Sequence, residues 1–192
     1  MIESAIAAFQ LPDVRRKILF TVGLLVVFRF VAHIPLPGVN TALLGEFFAG
    51  NQLLGFMNLM SGGALENFSV VALGVYPYVT ANIASTVLVP LIPPLQELSK
   101  EGESGRRKIA QWTRLATIPF AMLQGFGQIQ ILRSAEQGLL SPNLGPFDIV
   151  VMLIVMAAGT MFLLWMGELI TENGIGNGVS IIIFAGIVAG AP

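Results

Sequence analysis

Between Asn67 and Gln96 the chain runs for 30 residues without one charged side chain. Leu115–Leu132, Ile149–Gly167 and Asn173–Pro192 are also free of charge. A helix that crosses a bilayer needs about 20 predominantly apolar residues. Four such stretches in 192 residues exceed what the core of one small globule can bury. Charged residues make up 11% of the chain, against about 25% in an ordinary soluble domain. The fold class expected is therefore an all-α, polytopic membrane bundle. A soluble enzyme, a nucleic-acid binder and a disordered chain are disfavoured.

Few other chemistries survive the totals. The net charge of −1 offers no bulk attraction to nucleic acid. The chain has no cysteine, so disulfides and thiolate metal sites are excluded, and one histidine, His33, does not make a metal site. No cofactor is expected. The 21 glycines and 11 prolines suit membrane helices, whose neighbours re-satisfy the backbone. Arg15, Arg16 and Lys17 precede an apolar run, as in a signal peptide, but Arg29 interrupts the run and no small-residue cleavage site follows.

Along the chain, residues 2–10 read as a short amphipathic helix, broken at Pro12. Ile18–Ile34 is the first expected span, ended by Pro35 and Pro37. Residues 39–60 read as a loop with a short helix outside the hydrocarbon. Residues 61–74 carry Glu66 and Asn67 between glycines and are too short to span, so they read as a re-entrant half-helix. Further spans are expected at 75–95, 115–132, 147–170 and 179–192, the last cut short. Polar loops are expected at 96–114 and 133–146, with a glycine-rich turn at 171–178.

The basic residues set an orientation. Arg15, Arg16, Lys17, Lys100, Arg106, Arg107, Lys108 and Arg114 all fall on one side, eight of the ten cations in the chain. The positive-inside rule places that side, and the N-terminus, in the cytosol.

Several constellations carry two readings each. Lys100, Arg106, Arg107 and Lys108 are either a solvated topology signal or a docking patch for an anionic cytosolic partner. Val75 and Val79 lie one helical turn apart, as do Val179 and Ile183; the spacing serves ordinary packing or an apolar constriction that gates by dewetting. Thr80, Asn82, Ser85 and Thr86 are interhelical glue or a wet, gate-lining face. Arg29 with His33, and Glu168 with Glu172, read as interfacial anchors rather than a proton relay. Gly174–Gly178 (GIGNG) lacks the preceding strand and following Lys-Ser/Thr of a phosphate loop. Hydrolase and metalloprotease motifs are missing from the sequence. On the residues alone, a helical channel and half of a secondary transporter both remain open; the lack of a central charge in the later spans counts against the transporter.

Four stretches then carry a resemblance: Ile34–Gly38 (IPLPG), Ser61–Ile83 (SGGALENFSVVALGVYPYVTANI), Lys100–Lys108 (KEGESGRRK) and Met166–Gly190 (MGELITENGIGNGVSIIIFAGIVAG). Together they are similar to bacterial members of the SecY family, the large channel subunit of the protein translocon. The resemblance covers the first half of a ten-span subunit and ends within the fifth span. It implies a central pore subunit of the protein-conducting channel, not an enzyme, that passes unfolded secretory polypeptides across the bacterial plasma membrane. It implies a plug at 61–73, including Ser61, Gly62, Gly63, Ala64, Leu65, Glu66, Asn67 and Phe68. Val75, Val79, Val179 and Ile183 would belong to the pore ring, and valine at three of them departs from the isoleucine common there. Thr80, Asn82, Ile83 and Thr86 would lie on one side of a lateral gate. Lys100, Arg106, Arg107 and Lys108 would dock the SecA motor or a ribosome. Other implied partners are the SecE and SecG subunits, signal peptides and nascent chains, lipids, and the remaining half of the same subunit.

Overall fold

The computed structural model describes residues 11–50, 58, 63–134, 138–141 and 144–190. These residues hold seven helices: α1 (Pro12–Val31), α2 (Thr41–Ala49), α3 (Tyr76–Leu91), α4 (Pro93–Lys100), α5 (Glu103–Ser134), α6 (Pro146–Asn173) and α7 (Gly178–Gly190). Among the described residues the only β-pairing is two isolated antiparallel bridges, Pro35 with Ser69 and Val39 with Leu140.

Local chemistry sets the helix limits. α1 opens with Pro12, whose missing N–H costs nothing in the first turn, and Asp13 beside the positive end of the helix dipole. α6 likewise opens at Pro146, and the Asp148 carboxylate accepts the Gly145 N–H at 2.8 Å. α3 ends because Ile92 precedes a proline and is forced into extended backbone, φ −104° and ψ 109°. The axis turns by 98° there into α4.

By length and composition, α5 (32 residues) and α6 (28 residues) can each cross a membrane, and the bent α3–α4 pair makes a third candidate if taken as one broken span. α7 is shorter, at 13 residues. α1 has 20 residues and carries Asp13, Arg15, Arg16, Lys17 and Arg29.

Three expectations need correction. The polar stretch 96–114 is mostly helical: α4 runs to Lys100, α5 starts at Glu103, and the turn between them uses Gly102 at φ +78°. Its Glu, Arg, Lys, Gln and Ala residues are good helix formers, and polarity alone did not make a loop. Residues 63–75 are a chain of turns rather than a half-helix. Gly63, Phe68 and Gly74 all have positive φ, which no right-handed helix can absorb. The 171–178 turn is shorter than expected, since α6 continues through Asn173. The expected short helix in 39–60 is α2. The expected 2–10 helix, and residues 51–57 and 59–62, lie outside the described residues.

Two buried clusters hold the bundle together. One gathers Leu36, Leu44, Leu65, Phe68, Leu73, Ile129, Leu139, Met152 and Met156. The other gathers Phe28, Ala32, Ala64, Val71, Val75, Leu163, Met166, Ile170 and Ile182. The 63–75 segment feeds both, so it is wedged between them. At one end of the bundle Arg114 of α5 pairs with Glu168 of α6 at 2.6 Å, and Gly174 lies against the Thr21 hydroxyl of α1. At the other end the connecting segments pair with one another, Asn40 N–H donating to Leu139 O (3.0 Å) and Ser141 N–H to Gly38 O (2.9 Å).

Candidate functional site

The wedged segment is strapped down on both sides. Leu36 N–H donates to Phe68 O (3.0 Å) and Val70 N–H donates to Ile34 O (3.1 Å), flanking the Pro35–Ser69 bridge. Proline tolerates this position because an isolated bridge does not call on its N–H. Behind the strap, Gly159 of α6 lets two backbones touch: a Cβ there would collide with the Val70 carbonyl. Ahead of it, Glu66 is clasped by Asn58. The Asn58 amide donates to Glu66 Oε2 (2.8 Å), and the Glu66 N–H donates to Asn58 Oδ1 (2.9 Å). Asn67 Nδ2 donates to Gly63 O (3.0 Å).

Where this segment runs into α3, an apolar cavity of about 200 Å³ opens. Phe28, Gly74, Val75, Tyr76, Val79, Leu163, Ile182, Ile183 and Gly186 line it. Three of the four sequence-predicted ring residues, Val75, Val79 and Ile183, share this wall. Val179 packs against the same buried cluster without lining the cavity. Water gains almost no hydrogen bonds against such a wall, so a narrow passage through it tends to dewet. Of the predicted plug, Gly63, Ala64, Leu65, Glu66, Asn67 and Phe68 are described; Ser61 and Gly62 lie outside the described residues.

The four gate residues divide. Thr80 is glue: its hydroxyl donates to Tyr76 O (3.0 Å) and accepts from Gln124 Nε2 of α5 (3.1 Å). Ser85, five residues further on, accepts from Thr113 Oγ1 at 2.8 Å. Asn82, Ile83 and Thr86 are exposed, Ile83 at 60%, and Thr86 bonds back to Asn82 O (2.8 Å). Lys100, Arg106, Arg107 and Lys108 are all exposed on the α4–α5 hairpin. Arg107 pairs with Glu103 and Lys108 with Glu101, each at 3.8 Å. Such open pairs hold the cations loosely, worth about 0–1 kcal/mol, and leave them available.

The GIGNG stretch is explained by packing. A Cβ at Gly178 would collide with the Gly167 carbonyl, so α7 enters hard against α6. Thr171 Oγ1 accepts the Gly178 N–H (2.9 Å) and Asn177 Oδ1 accepts the Ser180 N–H (3.2 Å), capping α7. Sequence reasoning missed Phe28, Leu163, Ile182 and Gly186 as cavity walls, because apolar residues in an apolar helix carry no mark of direction. It also missed Gly159, although the small-residue run Ala157–Thr160 is the pattern that lets helices approach closely.

Spanning-length helices, a strapped segment wedged between their buried clusters and an apolar cavity define a helical membrane protein. The comparisons narrow this class. The SecY family model matches residues 69–192. The protein translocase subunit SecY of Streptomyces coelicolor is 45% identical over 203 residues, covering all of this chain and 46% of that relative. Those of Halalkalibacterium halodurans (45% identical, 96% of this chain, 43% of the relative) and Thermus thermophilus (46%, 98% and 44%) are similar to the same extent. The chain belongs to the SecY family, and it spans a little under half the length of these relatives. Two solved structures share its fold at a TM-score of 0.59 and 19% identity, each covering 91% of this chain and 36% of the other. They are described as Sec61 in the canine ribosome-channel complex from the endoplasmic reticulum, and as the structure of a protein conducting channel.

Proposed function

We propose that this chain supplies one half of the wall of a polypeptide-conducting pore, closed on one side by the 61–73 segment as a plug. The observation that carries this reading is the apolar cavity where Val75, Val79 and Ile183 meet at the foot of that segment. Val179 joins the same ring from the start of α7. An extended polypeptide displaces the plug and is gasketed by the aliphatic side chains, which keep ions out. Asn82, Ile83 and Thr86 lie on the exposed face of α3 and form one side of a lateral exit, with Thr80 fixing that helix to α5. Apolar segments leave there because each central Leu, Ile, Phe or Val gains about 0.3–0.6 kcal/mol in lipid. No covalent chemistry is involved.

Work comes from a partner docked on the α4–α5 hairpin through Lys100, Arg106, Arg107 and Lys108, either the SecA motor or a ribosome. The names of the relatives and the basic exposed hairpin support this. The remaining half of the subunit completes the ring, SecE and SecG flank it, and signal peptides and nascent chains pass through it. The setting is the bacterial plasma membrane with the N-terminus cytosolic, as the cluster of cations at one end suggests.

The test is ion conductance of the full-length channel complex after deletion of residues 61–73. The leak is expected to rise; unchanged conductance overturns the plug.

A further inference from the structure

The segment at 63–75 is not fastened evenly, and the difference falls at one residue. Its C-terminal part is held through backbone. The two strap hydrogen bonds fix the Phe68 carbonyl and the Val70 amide to Leu36 and Ile34. Gly159 presses α6 against the Val70 carbonyl. Ser69 is fully buried, as are Val71 and Ala72. The N-terminal part buries Ala64 and Leu65, but with local backbone bonds, to Asn58 and within 63–69 (Ser69 N–H donates to Ala64 O at 2.9 Å), and its exposed Glu66 is clasped by Asn58 while Asn67 bonds to Gly63 O.

Between the two parts sits Phe68, the one described residue other than glycine with positive φ, at +40°. A bulky aromatic pays a steric penalty in that region, so its backbone is held there by its surroundings. The residue is 1% exposed and its carbonyl is pinned by Leu36. Turning φ of Phe68 swings residues 63–67 and relieves that strain, which offsets part of the cost of breaking the Ser69 N–H to Ala64 O bond and exposing Ala64 and Leu65.

We infer that opening pivots at Phe68. Residues 63–67 swing as the moving part, Ser69–Gly74 stay in place as part of the pore wall, and the Asn58–Glu66 clasp is the latch. The flanking Gly63 and Gly74 are the obvious alternative hinges, but motion about both would tear the strap and the Gly159 contact. This inference rests on the plug reading above and refines it.

These 192 residues hold no cysteine, so once any cysteines elsewhere in the complex are replaced, paired substitutions report cleanly. Opposed residues of an antiparallel bridge have Cα atoms about 4.5–5.5 Å apart, within disulfide reach. The test uses the full-length channel complex in vesicles, transporting an unfolded secretory polypeptide, with and without reductant. Oxidised Pro35→Cys with Ser69→Cys is expected to transport as well as its reduced form. Asn58→Cys with Glu66→Cys, closed by a short thiol crosslinker or disulfide, is expected to lose transport, and reductant is expected to restore it for the disulfide. If the 35–69 link also blocks transport, the segment moves whole and the Phe68 pivot is overturned while the plug stands. If neither link blocks, the plug reading falls with it. Hydrogen exchange on the unsubstituted complex gives a second measurement. With substrate engaged, the Glu66 amide is expected to lose protection while the Leu36 and Val70 amides keep theirs. Equal loss at all three overturns the pivot.

Discussion

Gly159 shows how one missing methyl group shapes the site. The Val70 carbonyl occupies the space a side chain would need, so α6 and the strapped segment meet backbone to backbone. Gly159→Val must push them apart or distort α6. Overpacking of this kind costs about 1–3 kcal/mol. The expected outcome is a lower thermal midpoint in detergent and a raised basal ion leak, whereas Gly23→Ala, where nothing lies within 4 Å of the added carbon, changes neither. The Arg114–Glu168 pair makes the opposite kind of contribution. Its side chains are 45% and 32% exposed, so solvent screens it despite the 2.6 Å approach. A double-mutant cycle on Arg114→Ala and Glu168→Ala is expected to give a coupling of about 0.2–1 kcal/mol that shrinks with added salt. A coupling unaffected by salt would show that the pair acts as if buried.

Among the elements, the α4–α5 hairpin departs most from what polarity suggests. α5 is 32 residues long, about 48 Å at the usual helical rise, against about 30 Å of hydrocarbon. The excess leaves its basic first turns outside the membrane as a stiff prong rather than a loose loop. Gly105 makes the prong possible, since a Cβ there would strike the Leu98 carbonyl of α4. Gly105→Val keeps every cation yet should spread the hairpin. If a partner docks there as proposed, its affinity is expected to fall, as it should when Arg106→Glu and Arg107→Glu reverse the charge, but without the strong salt dependence expected of that change. Retained affinity in Gly105→Val would mean that the partner reads charge alone. The apolar centres of α3, α5 and α6 were legible in the sequence because uncharged runs have no stable alternative in a bilayer. Whether a charged run is helix or loop was not, because both are equally well solvated. That residues 63–75 form no spanning helix was legible from their shortness and Glu66, but their turns were not, since Phe68 at positive φ is imposed by packing around it.

At the scale of the molecule, the ends and the middle follow different rules. The ends are polar and tied by hydrogen bonds and ion pairs; the middle is a wall of aliphatic side chains around a cavity of about 200 Å³. The sequence placed Val75, Val79, Val179 and Ile183 on helix faces but could not say that α3 and α7 face each other. That depends on Phe28 of α1 and Leu163 of α6, which share the cavity wall with them. If the wall works by dewetting, what matters is its lack of polar atoms, and the exact aliphatic shape matters little. Val79→Ile in the full-length complex is then expected to leave basal ion conductance unchanged. Val79→Asp and Ile183→Asn are expected to raise it, because each supplies hydrogen-bonding groups that let water stand in the passage. The plug and the ring are distinct barriers in this scheme, so Val79→Asp combined with deletion of 61–73 should leak more than either alone. If the combined change leaks no more than the deletion, the plug is the whole seal and the aliphatic wall serves only to pack α3 and α7 into the rest of the bundle.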